Sequence, residues 1–265
     1  MGTDRRRRWG ALPLLGLLLG QASAAMASAP PTPLYVVPTE DRLQLAVPIE
    51  QGLRVEFEAV DRERLLRVLG PGAIAAGASS VRFVVEEAPG RSYAPDDRWL
   101  AASFIVDHDQ PAIVALREEF LREAGGDAAE RRRDLVAFVE HKVDATHGQG
   151  WEPASLTARA LRGDCTEHAV LTAAMARSLG IPARVVVGMV IVRPADRYAT
   201  VGHAWAELRV GDRWAIADAA LGAAGADARY VPLGLLEDEG PGFLVQMVDT
   251  LGAWVTRVVV LGPAD

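Results

Sequence analysis

The chain has 265 residues, half of them apolar, and a formal charge of −7. That acidity offers no electrostatic footprint for a nucleic-acid backbone, so no nucleic-acid partner is expected, and the apolar content excludes a disordered tail. The length suffices for one large or two small domains with real cores.

The N-terminus bears on the compartment. Arg5 to Arg8 form a basic n-region, Ala11 to Gly20 an apolar h-region, and Ala22-Ser23-Ala24 a small-residue cleavage site, with Ala27-Ser28-Ala29 as a second candidate. Residues 1–24 therefore read as a removed signal peptide, which directs the rest to the periplasm or the exterior. A membrane anchor is the competing reading, but the run is only about half of the ~20 residues that span a bilayer. Phe243 to Val260 is interrupted by Gln246, Asp249 and Arg257, so no stable membrane span is expected after cleavage. One cysteine, Cys165, follows. In an oxidising compartment it has no intramolecular disulfide partner and is either a buried inert thiol or one kept for its chemistry.

Residues 30–48 are Pro-rich and extended. Leu53 to Val60, Val81 to Val85 and Trp99 to Val106 then alternate in the manner of strands, separated by Gly70-Pro71-Gly72 and Pro89-Gly90. Residues 30–106 are expected to be a small β-rich N-terminal region. Asp107-His108-Asp109 has the composition of a metal cluster, yet Asp109 precedes Gln110-Pro111 and a helical pattern with Ile113, Leu116, Phe120 and Leu121 on one face. The spacing predicts that Asp109 caps that helix. A second helix is predicted from about Ala128 to Ala145, with Leu135, Phe138, Val139 and Val143 at helical spacing and Arg131 to Arg133 in solvent. A loop, His147 to Pro153, carries Gln149 and Trp151, and a short helix from Ser155 to Arg162 leads to Gly163.

Asp164 and Glu167 have the spacing of a capping box, so a helix starts here and runs to Leu179, stopping at Gly180 with Pro182 beyond. Cys165 falls in its first turn. The helix dipole stabilises a thiolate there by about 0.3 to 1 kcal/mol, whereas an imidazolium ~4 Å away would contribute about 4 kcal/mol at an effective dielectric of about 20, before desolvation. A histidine would supply most of the activation. Ala183 to Val192 reads as a buried strand. Gly202 to Leu208 is the next, and Gly211-Asp212 closes a hairpin into Arg213 to Asp218. Counting out from a two-residue turn pairs Val210 with Arg213 and sets Asp218 opposite Trp205, diagonal to His203, at a distance an imidazole and a carboxylate can bridge.

His168, one turn after Cys165, could join His203 on zinc, but no third or fourth ligand stands at useful spacing. A packed helix residue is expected, with no metal and no cofactor. Trp205 and Trp214 read as packing residues, Glu207 as a strand-surface charge, and Glu237-Asp238-Glu239 as a solvated loop. A final strand from Trp254 to Val260 is expected to complete the sheet.

Four blocks in order, Arg162 to His168, Gly180 to Val185, His203 to Glu207 and Arg213 to Asp218, resemble the transglutaminase-like superfamily of papain-like cysteine enzymes, from about Trp151 to Leu221. The resemblance implies an α+β fold with the nucleophile at a helix N-terminus packed on an antiparallel sheet, here spanning residues 107–265. It implies Cys165 as nucleophile, His203 as general acid and base, and Asp218 as the residue that holds the imidazole. Oxyanion donors would be the Cys165 N–H and the loop carrying Gln149 or Trp151. One departure is Asp218-Ala219-Ala220 where members often carry Asp-Pro-Thr. The implied reaction is acyl transfer on a protein or peptide substrate. Hydrolysis is expected, since only a site that excludes water lets an amine compete. A crosslinking protein-glutamine gamma-glutamyltransferase and a catalytically silent binding module remain the alternatives.

Overall fold

The structure, a computed structural model, describes residues 36–43, 51–86, 96–124, 128–146, 151–194, 197–236, 239–243, 245, 246, 250 and 255–264. The signal-peptide segment 1–24, the start of the Pro-rich stretch and Gln149 lie outside the described residues.

The N-terminal part begins with β1 (Val36–Val37), β2 (Thr39–Asp41) and β3 (Leu53–Ala59), then helix α1 (Arg62–Leu69), β4 (Ile74–Ala75) and β5 (Ser80–Val85). β3 alternates buried and exposed positions, which is the period of a strand covered on one face. α1 was not anticipated from the sequence. Its N-terminus is capped by Asp61, whose side chain accepts the Arg64 N–H, and a single buried residue, Leu65, docks it. One anchor in eight residues is too few to register as a helical stripe.

Helices α2 (Pro111–Glu123) and α3 (Ala128–Lys142), the short strand β6 (Asp144–Ala145), helix α4 (Ala154–Ala160) and strand β7 (Arg162–Gly163) lead to α5 (Cys165–Ser178). α2 buries Ile113, Leu116 and Phe120 as its spacing predicts, while Leu121 is exposed. Asp109 does not cap it. Gln110 holds the N-cap position without a side-chain bond, ahead of Pro111, whose fixed φ suits the first turn, and Asp107 accepts the Ser155 N–H at the start of α4. The expected strand Trp99 to Val106 is also absent. A 3-10 turn, Asp97–Trp99, is followed by bends. Ile105 and Val106 bury themselves among the helices rather than in a ladder, which uses the same apolar residues without strand pairing.

The remaining strands are β8 (Ala183–Val192), β9 (Ala199–Val210), β10 (Arg213–Ala217), β11 (Arg229–Leu235) and β12 (Val255–Pro263). β8 is the β-branched run, and it is central and almost wholly buried. It pairs antiparallel with β9 and β11. β1 and β10 share the outer edge of β9. A second sheet runs β2-β12-β3-β5-β4, with only β2 and β12 parallel. β12 thus completes the second sheet rather than the one built on β8.

The fold is α+β. α5 lies against β8 and β9, where Val185, Val187, Ala204, Ala206 and Leu208 join Val170, Leu171 and Met175 in one core. Met189, Ile191, Val231 and Leu233 belong to a second core with Val55, Phe57 and Val258, which glues the two sheets together. Gly188 allows a close passage there, since a Cβ on it would meet the Val231 carbonyl oxygen at 2.2 Å, next to the irregularity between Pro232 and Gly234. No helix among the described residues is long and apolar enough to cross a membrane.

Candidate active site

The first turn of α5 is fixed by a reciprocal cap. The Asp164 side chain accepts from the Thr166 and Glu167 N–H groups, and the Asp164 N–H donates to Glu167 Oε2 at 2.9 Å. His168 N–H takes the Asp164 carbonyl. Among the described residues this leaves the Cys165 N–H as the donor at the helix start that these bonds do not engage. Gly163 is required by the same device, because the Glu167 side chain lies over it and a Cβ would meet Glu167 Cβ at 2.2 Å. Burial, reinforced by the charge of Asp164, pushes the Glu167 carboxyl up to about 8. Glu167 Oε1 also faces the Glu152 N–H at 3.4 Å, which ties the segment bearing Trp151 to α5.

The hairpin has the predicted register, with Val210 opposite Arg213 and Ala206 opposite Ala217. One residue beyond the ladder, Asp218 turns toward His203, whose Nε2–H donates to Asp218 Oδ2 at 2.7 Å. The ionised carboxylate can only accept, so Nε2 carries a proton in this bond. Cys165 lies near enough to the ring to favour its charged form. Oδ1 of Asp218 accepts the Ala220 and Leu221 N–H groups at 3.0 and 3.1 Å, so the Ala219-Ala220 departure still closes a turn on the aspartate. Trp205 stacks on the His203 ring at 6.1 Å and 19°.

Burial opposes a charge on His203, yet the Asp218 carboxylate, with Cys165 adding to it, outweighs that cost and holds the imidazolium pKa up to about 10. For Asp218, burial acts against ionisation, and the His203 charge with the bonds from His203, Tyr230 and Leu221 brings the carboxyl below its ordinary range. The cluster can therefore hold and pass a proton between ring and sulfur. It is also covered: Cys165, His203 and Asp218 are 1, 3 and 8% exposed.

Other expectations meet mixed outcomes. His168 is a packed helix residue whose Nδ1–H donates to the Asp164 carbonyl, and burial lowers its pKa. Trp151 is half-buried against the α5 core and tilts toward Phe243 at 6.5 Å. Trp214 packs edge-on against Trp99 and carries the Arg184 guanidinium on its face. Glu207 is not a surface charge. It is buried and bonded twice to Arg184, at 2.8 and 2.6 Å. Glu239 is likewise not solvated, since Arg177 holds its carboxylate with two bonds of 2.8 and 2.6 Å, while Glu237 and Asp238 lie outside the described residues. Strand alternation and loop acidity are blind to such pairs, because each partner lies many residues away. Tyr230, whose hydroxyl donates to Asp218 Oδ2 at 2.8 Å, was missed for the same reason.

Residues 115–219 match the family profile described as the transglutaminase-like superfamily, a segment that contains Cys165, His203 and Asp218. No curated protein matches the chain. Solved structures similar to it include a proposed cysteine protease from Cytophaga hutchinsonii, with 16% identity, a TM-score of 0.40, and coverage of 71% of this chain and 74% of that one. The periplasmic domain of TgpA from Pseudomonas aeruginosa is similar at 23% identity and a TM-score of 0.35, over 55% of this chain and 54% of that one.

Proposed function

We propose that the chain, whose residues 115–219 match the transglutaminase-like profile, is an exported cysteine-dependent acyl-transfer enzyme that hydrolyses peptide, isopeptide or other amide bonds through Cys165, His203 and Asp218. The observation that carries this reading is the buried His203–Asp218 bond of 2.7 Å, set beside the one sulfur, itself buried in the first turn of α5. In the proposed reaction the Cys165 sulfur, its proton held by His203, attacks the amide carbonyl carbon. A C–S bond forms and the carbonyl π pair moves to oxygen. The Cys165 N–H, and Trp151 from the neighbouring loop, would stabilise that oxyanion. As the C–N bond breaks, His203 gives its proton to the departing amine, and a thioester remains. Water then loses a proton to His203 while its oxygen attacks the thioester, and C–S cleavage releases the acid and restores the thiolate with its imidazolium. Asp218 keeps the ring oriented throughout.

One feature favours a second reading. The near-complete burial of the sulfur fits a module that retains the fold and binds without catalysis.

Because Cys165 is the sole thiol, its alkylation by iodoacetamide reports on this site alone. Wild-type protein should label readily near neutral pH, with a steep loss in His203→Ala and a smaller one in Asp218→Ala. Equal labelling in all three sinks the proposed triad. An unreactive wild-type thiol favours the silent module, and amine incorporation into a glutamine peptide in preference to hydrolysis favours a crosslinking transferase. N-terminal sequencing of protein recovered outside the cytoplasm should begin at Ala25 or Pro30 if residues 1–24 or 1–29 are the removed leader.

A further inference from the structure

Asp218 Oδ2 has two donors. One is His203 Nε2–H at 2.7 Å, and the other is the Tyr230 hydroxyl at 2.8 Å. We propose that Tyr230 is a positioning residue of this site, its hydroxyl fixing the Asp218 oxygen that in turn aims the His203 ring at Cys165. The proposal rests on the catalytic reading above.

The geometry is over-determined in a way that a merely satisfied buried hydroxyl would not need. The turn N–H groups of Ala220 and Leu221 pin Oδ1. They leave the carboxylate free to swing Oδ2 about that anchor, and Tyr230 closes this freedom from β11. The tyrosine arrives through strand pairing, opposite Val190 of β8, and β8 in turn sets Gly188 opposite His203. Its ring packs edge-on against Trp205 at 5.1 Å and 65°, and Trp205 stacks on His203. The tyrosine thus holds the imidazole along two routes, one through the carboxylate and one through the indole. Burial and the Asp218 charge keep the phenol far above its ordinary pKa. It remains a donor at every working pH, which is what a permanent hold on a carboxylate requires.

The test uses the full chain and the rate of iodoacetamide alkylation of its single thiol across pH. Tyr230→Phe keeps the ring packing and removes only the hydroxyl. It should slow alkylation about tenfold, the scale of one hydrogen bond to a charged group. The acid limb of the profile, which follows ionisation of the thiol, should move to higher pH, since a ring less firmly aimed at the sulfur stabilises the thiolate less. In an Asp218→Asn background the same Tyr230→Phe change should alter the rate less than about twofold, because it acts through the carboxylate. An equal factor in both backgrounds, or no change in rate and profile, overturns the proposal. Failure of the parent reading looks different: there His203→Ala alkylates as fast as wild type, and the positioning role falls with it.

Discussion

At the scale of single residues, two groups make stability depend on pH in the same direction. His203 is held protonated in the fold up to about 10, against an ordinary value of 6.5, so its contribution is complete below about pH 6.5 and disappears as pH rises toward 10. Glu167 also has a raised pKa, from 4.5 to about 8. The native state takes up a proton there that the unfolded chain releases, so stability is lost as pH climbs from about 4.5 through 8. The melting temperature should therefore fall steadily between pH 6 and 10. In Glu167→Gln, which cannot ionise, the part of that slope below pH 8 should flatten, as thermal melts at fixed ionic strength will check. An unchanged slope would mean that Glu167 ionises freely in the fold. Cys165, His203 and Asp218 were all named from local motifs. Tyr230 was not, because nothing in Tyr230 to Leu236 marks the residue as polar in function until β11 is laid beside β8.

Elements divide by how local their determinants are. The α5 cap and the β9–β10 hairpin were legible because a capping box spans four residues and a hairpin register follows from counting out of its turn, where Gly211 takes a φ of 61°. The Arg184–Glu207 pair shows the opposite case. It joins directly opposed positions of β8 and β9, both side chains below 10% exposed, and alternation alone assigned Glu207 to solvent. Breaking a buried pair strands a charge, so Glu207→Ala should cost about 3 to 5 kcal/mol in denaturant melts. Arg184→Met combined with Glu207→Leu should recover much of it, since no ion then remains buried. A double variant as unstable as the single one would show that the guanidinium matters through its packing on Trp214 instead.

On the scale of the whole molecule, the two sheets depend on chain ends far apart in sequence. β12 lies between β2 and β3, with Val255, Val258 and Val260 buried against Phe57 and Val55. Deleting residues 255–265 should leave β3 an unpaired edge over an exposed core and abolish a cooperative thermal transition by circular dichroism. A truncated chain that melts like the parent would show that the second core is dispensable. The same long-range wiring explains the misread segment Trp99 to Val106. Its apolar residues suit a strand, but Ile105 gives its carbonyl to Ala154 N–H and its N–H to the Glu239 carbonyl, partners that no local pattern can foresee.

Short-range physics makes three things legible along the chain: where α5 begins, which strand pair carries the histidine and the aspartate, and that the one sulfur stands in a first helical turn. Tertiary structure alone decided the sheet β12 joins, the burial of Glu207 and Glu239 as ion pairs, the covering of the sulfur, and the phenol on the aspartate. These depend on contacts between residues tens to hundreds of positions apart, whose closeness is set by packing two sheets and a helix together rather than by any periodicity along the chain.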